Sequence, residues 1–402
     1  MSDRRPAPTA RRRVATLVAV LAALAGAAVS LVASPRPAAA ATLQEVTGFG
    51  SNPGNLQMFR YVPAGLTAGR PVVVALHGCT QNATGYGPAT GWLQLADRWK
   101  FTVVVPQQKS QNNLNSCFNW FEPGDTRRGS GEALSIKQMV DKAKQDNGAT
   151  SAYVSGLSAG GAMTAVMLAT YPDVFSGGGI VAGLPFQCAT TVAAAYGCMN
   201  PGTDLTPAQW GDRVRAAFPY SGPRPKVSIW HGAADTTVRP LNGTELVEQW
   251  TNVNGTDQTP DVSDTVAGYP HRVYGGTVEH YSITGMNHGQ PVDPGAGATQ
   301  CGGTAAYMLD VNVCAAYHLA RFWGIDGGGA TPTTTSGGNP TTTTSRPPYT
   351  EVVTATATAH YVAQRIDVTE YNTLGARYGY STPFALYRCG AEWTDKADCS
   401  AI

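Results

Sequence analysis

The sequence predicts an α/β protein with a mostly parallel sheet that helices cover on both sides, and two kinds of pattern lead to this prediction. Continuous apolar runs are typical of strands buried on both faces, and they occupy residues 72–76, 101–105, 152–155 and 227–230. Helical patterns lie between them, at residues 131–145 and 159–170. Strands and helices alternating in this way form parallel sheets, because each helix crosses back over a face of the sheet.

Residues 41–326 carry this pattern and form the predicted main domain. The chain length of 402 residues is enough for one large or two ordinary domains with a buried core. The next stretch, 327–348, is predicted to be a linker because 19 of its 22 residues are Gly, Thr, Pro or Ser. Residues 349–402 contain eight aromatic residues and form a predicted small, separate module. A module of this size has a thin core, which a disulfide would help to hold.

The first forty residues have the features of a secretory signal. Three arginines, 11–13, precede an apolar run over 14–33, and a stretch of small residues follows at 38–41. A basic start, an apolar middle and an Ala-x-Ala end predict export with cleavage, and therefore a secreted, extracellular protein. The alternative is a membrane anchor, since about twenty apolar residues can span a bilayer. Because the run is rich in Ala and a cleavage-like site follows it, we expect no membrane association after cleavage.

The charge argues against a nucleic-acid partner. The whole chain has a formal net charge of +1, from 28 basic and 27 acidic residues. The first forty residues hold six of the basic residues and one of the acidic ones, so the mature chain has 22 and 26 and a net charge of −4. Phosphate binding needs a surplus of Lys and Arg on one face. The charge therefore predicts no nucleic-acid partner, and we expect the protein to be a monomer.

An even number of cysteines in an exported chain predicts disulfides. The eight cysteines are Cys79, Cys117, Cys188, Cys198, Cys301, Cys314, Cys389 and Cys399. Close spacing favours the pairs 188–198, 301–314 and 389–399, which leaves 79–117, although eight cysteines allow 105 pairings. Because no Cys or His group has the spacing of a metal site, neither zinc nor another metal is expected.

The candidate nucleophile is Ser158, in the Gly-x-Ser-x-Gly string 156–160. A predicted strand precedes it and a helix rich in Ala, Met and Leu follows it. This is the order of a nucleophile elbow, a tight strand-to-helix turn that exposes the serine while the flanking glycines allow the backbones to pack closely. The alternative is an ordinary Gly-rich turn. The helix N-terminus also favours the negative charge that develops on a substrate oxygen.

A serine hydroxyl needs a base that an acid orients. His288 is the candidate base, because it lies in a Gly-bounded loop after the strand-like run 278–283 and far downstream of Ser158. Asp235 is the candidate acid, at the end of the run 227–230. The remaining six histidines have simpler interpretations as loop-shaping, strand, helix or module residues, namely His77, His231, His271, His280, His318 and His360. The other acids of this region, Asp257, Asp261 and Asp264, are interpreted as solvated turn residues.

The predicted oxyanion hole combines two backbone N–H groups. One is that of Ala159, directly after the nucleophile, and the other that of Cys79, in the turn after the first buried strand. The expected bridge from Cys79 to Cys117 would bring an aromatic cluster at 117–121 beside this turn. Within that cluster, Trp120 is a candidate wall of the substrate cleft, with core packing as the alternative.

Five separated motifs, in order, resemble one family. They are His77-Gly78-Cys79-Thr80-Gln81, the cluster at 117–121, the elbow at 156–164, His231-Gly232 before Asp235, and Asn287-His288-Gly289. The family is that of extracellular polyhydroxybutyrate depolymerases, which is similar to the acetylxylan and feruloyl esterases of carbohydrate esterase family one. The resemblance implies an α/β-hydrolase fold, a Ser158–His288–Asp235 triad, no cofactor, and hydrolysis of esters in or on polymers. The linker and the C-terminal module also look like the layout of secreted polyester depolymerases. This resemblance implies that residues 349–402 bind substrate and that the partner is an insoluble polyester or polysaccharide.

Four functions are compatible with these residues. The first is a depolymerase of short-chain polyhydroxyalkanoates, and the second an acetylxylan or feruloyl esterase that acts on plant polysaccharide. The third is a secreted binding protein with an inert hydrolase fold, which would not turn over nitrophenyl butyrate. The fourth is a serine peptidase on the same fold. Exposed aromatic rings suit both polymer substrates, because flat rings adsorb to polyester and stack on sugars.

Overall fold

The computed structural model describes residues 42–327, 351–362, 365–366, 368–380, 384–389 and 392–394. Contacts divide the chain into two units, one ending at Ala330 and the other beginning at Thr331. The predicted signal sequence, and the predicted linker after Gly327, lie outside the described residues. The predicted domain boundaries therefore remain predictions.

The first unit alternates strands and helices along most of its length. Its strands are β1 (Gln44–Val46), β2 (Gln57–Tyr61), β3 (Val72–Leu76), β4 (Thr102–Gln107), β5 (Ala152–Leu157), β6 (Gly177–Val181), β7 (Lys226–Gly232), β8 (Val262–Val266), β9 (Tyr269–Tyr274), β10 (Val278–Ile283), β11 (Gln290–Val292) and β12 (Met308–Asp310). Its helices are α1 (Ala83–Ala89), α2 (Trp92–Trp99), α3 (Pro123–Thr126), α4 (Gly131–Asn147), α5 (Ala159–Thr170), α6 (Val192–Met199), α7 (Pro207–Ala217), α8 (Leu241–Asn254) and α9 (Ala315–Trp323).

Ten strands form one sheet in the order β1-β2-β4-β3-β5-β6-β7-β10-β9-β8. The six central strands, from β4 to β10 in this order, are all parallel to one another. The strands on either side pair antiparallel. The prediction of a mostly parallel sheet is therefore confirmed. Parallel strands direct all their carboxyl ends to one edge, where functional loops gather.

The apolar run of β3 shows why this sheet is covered on both faces. All five of its residues are buried. Val72, Val74 and Leu76 pack into a core that includes α4 and α5, while Val73 and Ala75 pack into a second core that includes α2 and α9. A strand of this kind has no solvated face, and its sequence is therefore apolar throughout instead of alternating.

Three of the predicted disulfides are formed: Cys79–Cys117, Cys188–Cys198 and Cys301–Cys314. The predicted partner of Cys389, Cys399, lies outside the described residues. Within the described ranges, no helix has both the length and the apolar character needed to cross a bilayer.

The second unit contains a small antiparallel sheet. Its strands β13 (Glu351–Ala355), β14 (Phe384–Cys389) and β15 (Glu392–Thr394) pair in that order, and its helices are α10 (Ala357–Val362) and α11 (Val368–Tyr378). Among the described residues of this unit, four apolar side chains form a buried cluster: Ala357, Ile366, Leu374 and Leu386. Three tyrosine rings form a continuous row, with centroids 5.3 Å apart for Tyr361–Tyr371 and 5.2 Å apart for Tyr371–Tyr380.

At the antiparallel end of the main sheet, His271 lies between two carboxylates. Its Nδ1 is 2.7 Å from Asp264 Oδ1 and its Nε2 is 3.3 Å from Glu279 Oε2. The interpretation of Asp264 as a solvated turn residue is wrong, because Asp264 belongs to β8 and lies opposite His271 of β9. Burial by itself lowers the pKa of His271, but the hydrogen bonds and charges of Glu279 and Asp264 outweigh it and raise the pKa above 6.5.

This arrangement predicts a pH-dependent stability difference between the parent and His271→Gln. A histidine whose pKa is raised by folding stabilises the fold fully below its unfolded pKa, and that contribution is lost as pH rises through the folded pKa. The parent's advantage in Tm should therefore be fully present between pH 5 and pH 6 and should decline as pH rises above 6.5. Thermal unfolding between pH 5 and pH 9 measures it.

His318 provides a matched control, because its ring lies 5.9 Å from the same Tyr281 that stacks on His271. Burial lowers the pKa of His318 to about 4, so its neutral form is favoured in the fold. The parent should lose stability relative to His318→Gln as pH falls below 6.5, the opposite trend. Parallel pH profiles for the two variants would contradict the assignment.

Candidate active site

Ser158 occupies the turn between β5 and α5 in a strained backbone conformation. β5 ends at Leu157 and α5 begins at Ala159, and Ser158 itself has φ 58° and ψ −118°. A positive φ is rare for a residue with a Cβ, and strained turns of this kind are found where a side chain must be presented for function. The strand, serine and helix follow in the order that a nucleophile elbow requires.

The glycines of the elbow are required by close packing. A Cβ on Gly156 would overlap the carbonyl group of Gly160, and a Cβ on Gly160 would overlap Leu76 O and His77 O. The start of α5 therefore lies directly against the end of β3 and the turn that follows it. This packing brings Ser158 beside the predicted oxyanion turn, and the Ser158 Cβ is 3.5 Å from the position of a Cβ on Gly78.

Gly160→Ala is expected to lower the free energy of unfolding by about 3 kcal/mol or more, because backbone atoms of β3 cannot move aside as a side chain can. Gly197→Ala is the matched control: this glycine also lies in a helix, α6, and a Cβ there would contact nothing within 4 Å. Chemical denaturation should show the control to be unchanged or slightly more stable. Equal stability of the two variants would show that the elbow is not closely packed.

Asp235 and His288 follow neighbouring parallel strands, β7 and β10. The Nδ1 of His288 donates to Asp235 Oδ2 at 2.7 Å. The other oxygen of Asp235 accepts from the N–H groups of Thr237 and Val238, both at 2.9 Å. Asp235 is 1% exposed, and burial alone would raise the pKa of its carboxyl group. The hydrogen bond and charge of His288, together with the Val238 N–H, outweigh burial and hold this pKa below its ordinary value. The acid is therefore ionised at neutral pH.

The loops that carry the acid and the histidine are joined to each other. Asn287 Oδ1 accepts from Thr236 N–H at 3.1 Å and from His288 N–H at 2.8 Å. Ala234 N–H donates to Met286 O at 3.0 Å, and a Cβ on Gly232 would lie only 2.7 Å from Asn287 O. Asn287 thus fixes both loops at once. The sequence analysis included it only as part of a motif, because an Asn in a polar loop gives no local sign of such a role.

His231 supports the acid loop from the interior. It is buried, its Nε2 donates to Val238 O at 2.8 Å, and the same nitrogen lies 3.6 Å from Asp235 Oδ2. Burial lowers its pKa, so the ring is neutral. This agrees with its interpretation as a loop-shaping residue.

The predicted oxyanion turn is held by His77 and Gln81. His77 is fully buried; its Nδ1 donates to Gly78 O at 2.8 Å and its Nε2 accepts from Gln108 N–H at 3.1 Å. Burial lowers the pKa of His77 to about 4, which keeps it in this neutral tautomer. Gln81 Oε1 accepts from Gly78 N–H at 2.8 Å.

Two N–H groups at the cleft are available as oxyanion donors. Thr80 N–H donates to Asn115 O, whereas the Cys79 N–H makes no hydrogen bond to any residue that the structure describes. Ala159 is the first residue of α5, so its N–H has no carbonyl partner within that helix. The disulfide from Cys79 to Cys117 fixes the turn to the neighbouring loop.

Ser158 and His288 line one cleft of about 170 Å³, together with Cys79 of the oxyanion turn. Two further wall residues, Met199 and Tyr307, were missed by the sequence analysis. The Tyr307 ring is 46% exposed and its centroid lies 6.1 Å from that of His288. Neither residue has a sequence signal, because each reaches the cleft from a loop or helix end whose position depends on the fold.

Trp120, the candidate cleft wall, lies elsewhere. It is 5% exposed, packs edge-on against Phe121 at 5.3 Å, and belongs to the core that includes α4 and α5. It lines a separate cavity of about 490 Å³ with Phe186 and Arg127, and it is absent from the walls of the cleft at Ser158.

Taken together, these features define an α/β-hydrolase with a half-buried serine that lines a cleft, a carboxylate-oriented imidazole and backbone donors beside them. In the described ranges, no three His, Cys, Asp or Glu side chains are grouped as a metal site would require. Residues 56–265, more than half of the chain, match the family described as Esterase PHB depolymerase. The chain belongs to this family, and it is a carboxylic ester hydrolase.

Three relatives illustrate the range of the family. Poly(3-hydroxyalkanoate) depolymerase C of Paucimonas lemoignei is 59% identical over 378 residues, which cover 90% of this chain and 91% of that protein. Feruloyl esterase B of Neurospora crassa is 36% identical over 266 residues, covering 63% of this chain and 90% of that one. Among solved structures, an acetyl xylan esterase from Aspergillus awamori has a TM-score of 0.58 and 31% identity, and covers 61% of this chain and 94% of that chain.

Proposed function

We propose that the protein is a secreted serine esterase that hydrolyses an insoluble polyester, poly(3-hydroxybutyrate) or another short-chain polyhydroxyalkanoate. The observation that supports the chemistry most strongly is the His288–Asp235 hydrogen bond of 2.7 Å in the same site as the strained Ser158. Export is supported by the signal-like residues 1–40 and by the three disulfides, which form in oxidising compartments.

The proposed mechanism is acyl transfer in two halves. Ser158 Oγ attacks the ester carbonyl carbon while His288 Nε2 takes its proton, and the Cys79 and Ala159 N–H groups bind the oxyanion. The carbon–oxygen bond to the alcohol then breaks, and His288 donates the proton to the departing alkoxide. Water repeats the attack on the acyl-enzyme and releases the acid. Asp235 holds the imidazole in the required tautomer and stabilises the imidazolium.

The extent of similarity favours polyester over polysaccharide. The match to the polyhydroxyalkanoate depolymerase covers 90% of the chain. The part of the chain up to the end of the predicted linker, residues 1–348, is only about 87% of its 402 residues. That match therefore continues into the residues after the predicted linker. The feruloyl esterase match covers 63%. Acetylxylan or feruloyl ester hydrolysis on plant polysaccharide is the second candidate, supported by the 31–36% identity to such esterases.

A comparison of two substrates separates the candidates. The purified mature protein should clear a suspension of poly(3-hydroxybutyrate) and release little acetate from acetylated xylan. Protein that turns over nitrophenyl butyrate, yet leaves the polyester suspension turbid, would exclude the first candidate. Strong acetate release in that same preparation would favour the second.

We also propose that the second unit adsorbs to the polymer through its tyrosine row. Tyr361 and Tyr380 are 45% and 44% exposed, and exposed aromatic rings adsorb well to apolar surfaces. The double variant Tyr361→Ala/Tyr380→Ala should slow attack on solid polyester about tenfold and leave nitrophenyl butyrate turnover unchanged. Val62→Ala, which removes a similarly exposed side chain from the first unit, is the control. Unchanged clearing by the double variant would contradict this division of labour.

A further inference from the structure

A third cavity, of about 280 Å³, lies on one face of the main sheet beneath α8. The strand register explains its polar walls. His280 of β10 lies opposite Arg272 of β9, and Ser282 of β10 lies opposite His231 of β7. Residues that are paired across strands, or two apart along one strand, point to the same face, and all four line the cavity, with Thr244 of α8 at its edge.

Two histidine nitrogens in these walls have no hydrogen-bond partner among the described residues. They are Nδ1 of His231 and Nε2 of His280, both buried. Because His231 Nε2 donates its proton to Val238 O, the Nδ1 of that neutral ring is a bare acceptor. A buried polar atom without a partner is costly and calls for a ligand or ordered water. The His231 nitrogen specifically requires a donor.

The charge of the cavity comes from Arg272. None of the carboxylates in the described ranges forms an ion pair with its guanidinium. Successive side chains of β9 point to opposite faces of the sheet, so Arg272 points away from the face that holds Asp264, Glu279 and His271. Burial, together with the positive charge of Arg272, lowers the pKa of His280 to about 3, so that ring is neutral. A lone arginine in a cavity with neutral polar walls favours an anion, and a carboxylate matches its planar donors well.

We propose that this cavity binds a small hydroxycarboxylate, with the carboxylate on Arg272 and the hydroxyl donating to Nδ1 of His231. The inference rests on the proposed function, because hydrolysis of a polyhydroxyalkanoate releases a compound of this class. The volume is adequate: 280 Å³ corresponds to about nine water molecules at ~30 Å³ each, and 3-hydroxybutyrate has seven non-hydrogen atoms. The site is separate from the cleft at Ser158, although two of its wall residues also contact the catalytic loops: His231 lies against the acid loop and Gly232 against the loop that carries His288.

Calorimetric titration tests the site without turnover. The full mature chain is first inactivated at Ser158 with an organophosphate, so that the active-site cleft is filled, and is then titrated with 3-hydroxybutyrate. We expect saturable binding of one equivalent, about tenfold weaker binding of butyrate, which lacks the hydroxyl, and at least tenfold weaker binding of 3-hydroxybutyrate to Arg272→Met. Thr244→Phe places a larger side chain at the edge of the cavity, on the exposed side of α8. This variant should not bind 3-hydroxybutyrate.

Arg127→Met is the matched control, because Arg127 is likewise an exposed arginine that lines a cavity, the one beside Trp120. It should bind as the parent does. Absence of binding at millimolar ligand, equal binding of butyrate, or undiminished binding by folded Arg272→Met would each overturn the proposal. These outcomes are distinct from failure of the proposed function. A protein that clears polyester without binding 3-hydroxybutyrate refutes only the proposal that this cavity is a binding site. A protein that binds 3-hydroxybutyrate but leaves polyester intact refutes the proposed polyester substrate and not the binding site.

Discussion

Ser158→Ala should lower kcat for a soluble ester by about 10⁴-fold or more, because removing the nucleophile of a triad leaves only the oxyanion donors and substrate binding. Adsorption to solid polymer should be unaffected, since we assign it to the second unit. The fold should also persist. Alanine has a Cβ, as serine does, so both residues bear the same backbone strain at a φ of 58°.

Thermal unfolding and a polymer pull-down serve as controls for this variant. A second variant, Ser158→Gly, should be equally inactive and slightly more stable, because glycine adopts a positive φ without strain. A folded Ser158→Ala protein that keeps about a tenth of the parent's turnover would require another nucleophile.

Asp235→Asn is expected to lower kcat by about 10⁴-fold while leaving the fold intact. Its amide oxygen can still accept from Thr237 and Val238 N–H, as Asp235 Oδ1 does now. Its NH₂ group would then face Nδ1 of His288 and stabilise the wrong tautomer, in which Nε2 carries the proton and cannot accept one from Ser158. Initial rates with nitrophenyl butyrate measure the effect.

The chain offers a matched control for this substitution. Asp264 contacts His271 at the same 2.7 Å distance but on a different part of the sheet. Asp264→Asn should therefore keep full turnover and alter only stability and its pH dependence. If both variants lost activity equally, the loss could not be assigned to the tautomer of His288.

The central strands and the elbow could be predicted from the sequence because their signals are local. Val72–Leu76 is apolar because both faces are covered, and the elbow combines strand, Gly-x-Ser-x-Gly and helix within twenty residues. The boundaries of α5 and β10 coincide with the predicted patterns at 159–170 and 278–283. Patterns that a local environment dictates are the ones a single sequence reveals.

The strand β6 could not be predicted, because it begins with three glycines, which normally indicate a break. The structure shows why they are needed. A Cβ on each would meet a side chain from a helix on the sheet: Trp323 at Gly177, Leu168 at Gly178 and Leu319 at Gly179. These contacts are distant in sequence, so no local pattern predicts them.

The individual residues that the sequence analysis interpreted, inside and outside the site, divide in the same way. Asp235 and His288 follow strands and could be located by order along the chain. The exposure of Tyr307 at the cleft, the burial of Trp120 away from it, and the pairing of Asp264 with His271 all depend on which loops and strands meet. An aromatic residue alone does not indicate whether it packs in a core or lines a cleft.

Labelling with a fluorophosphonate, followed by peptide mass spectrometry, tests the central assignment most directly. The reagent reacts with a serine only where a base activates it and donors stabilise the oxyanion. We predict one equivalent of label, on Ser158, with labelling lost in His288→Ala and strongly slowed in Asp235→Asn. Label on a different residue, or unchanged labelling of Ser158 when His288 is removed, would contradict the triad.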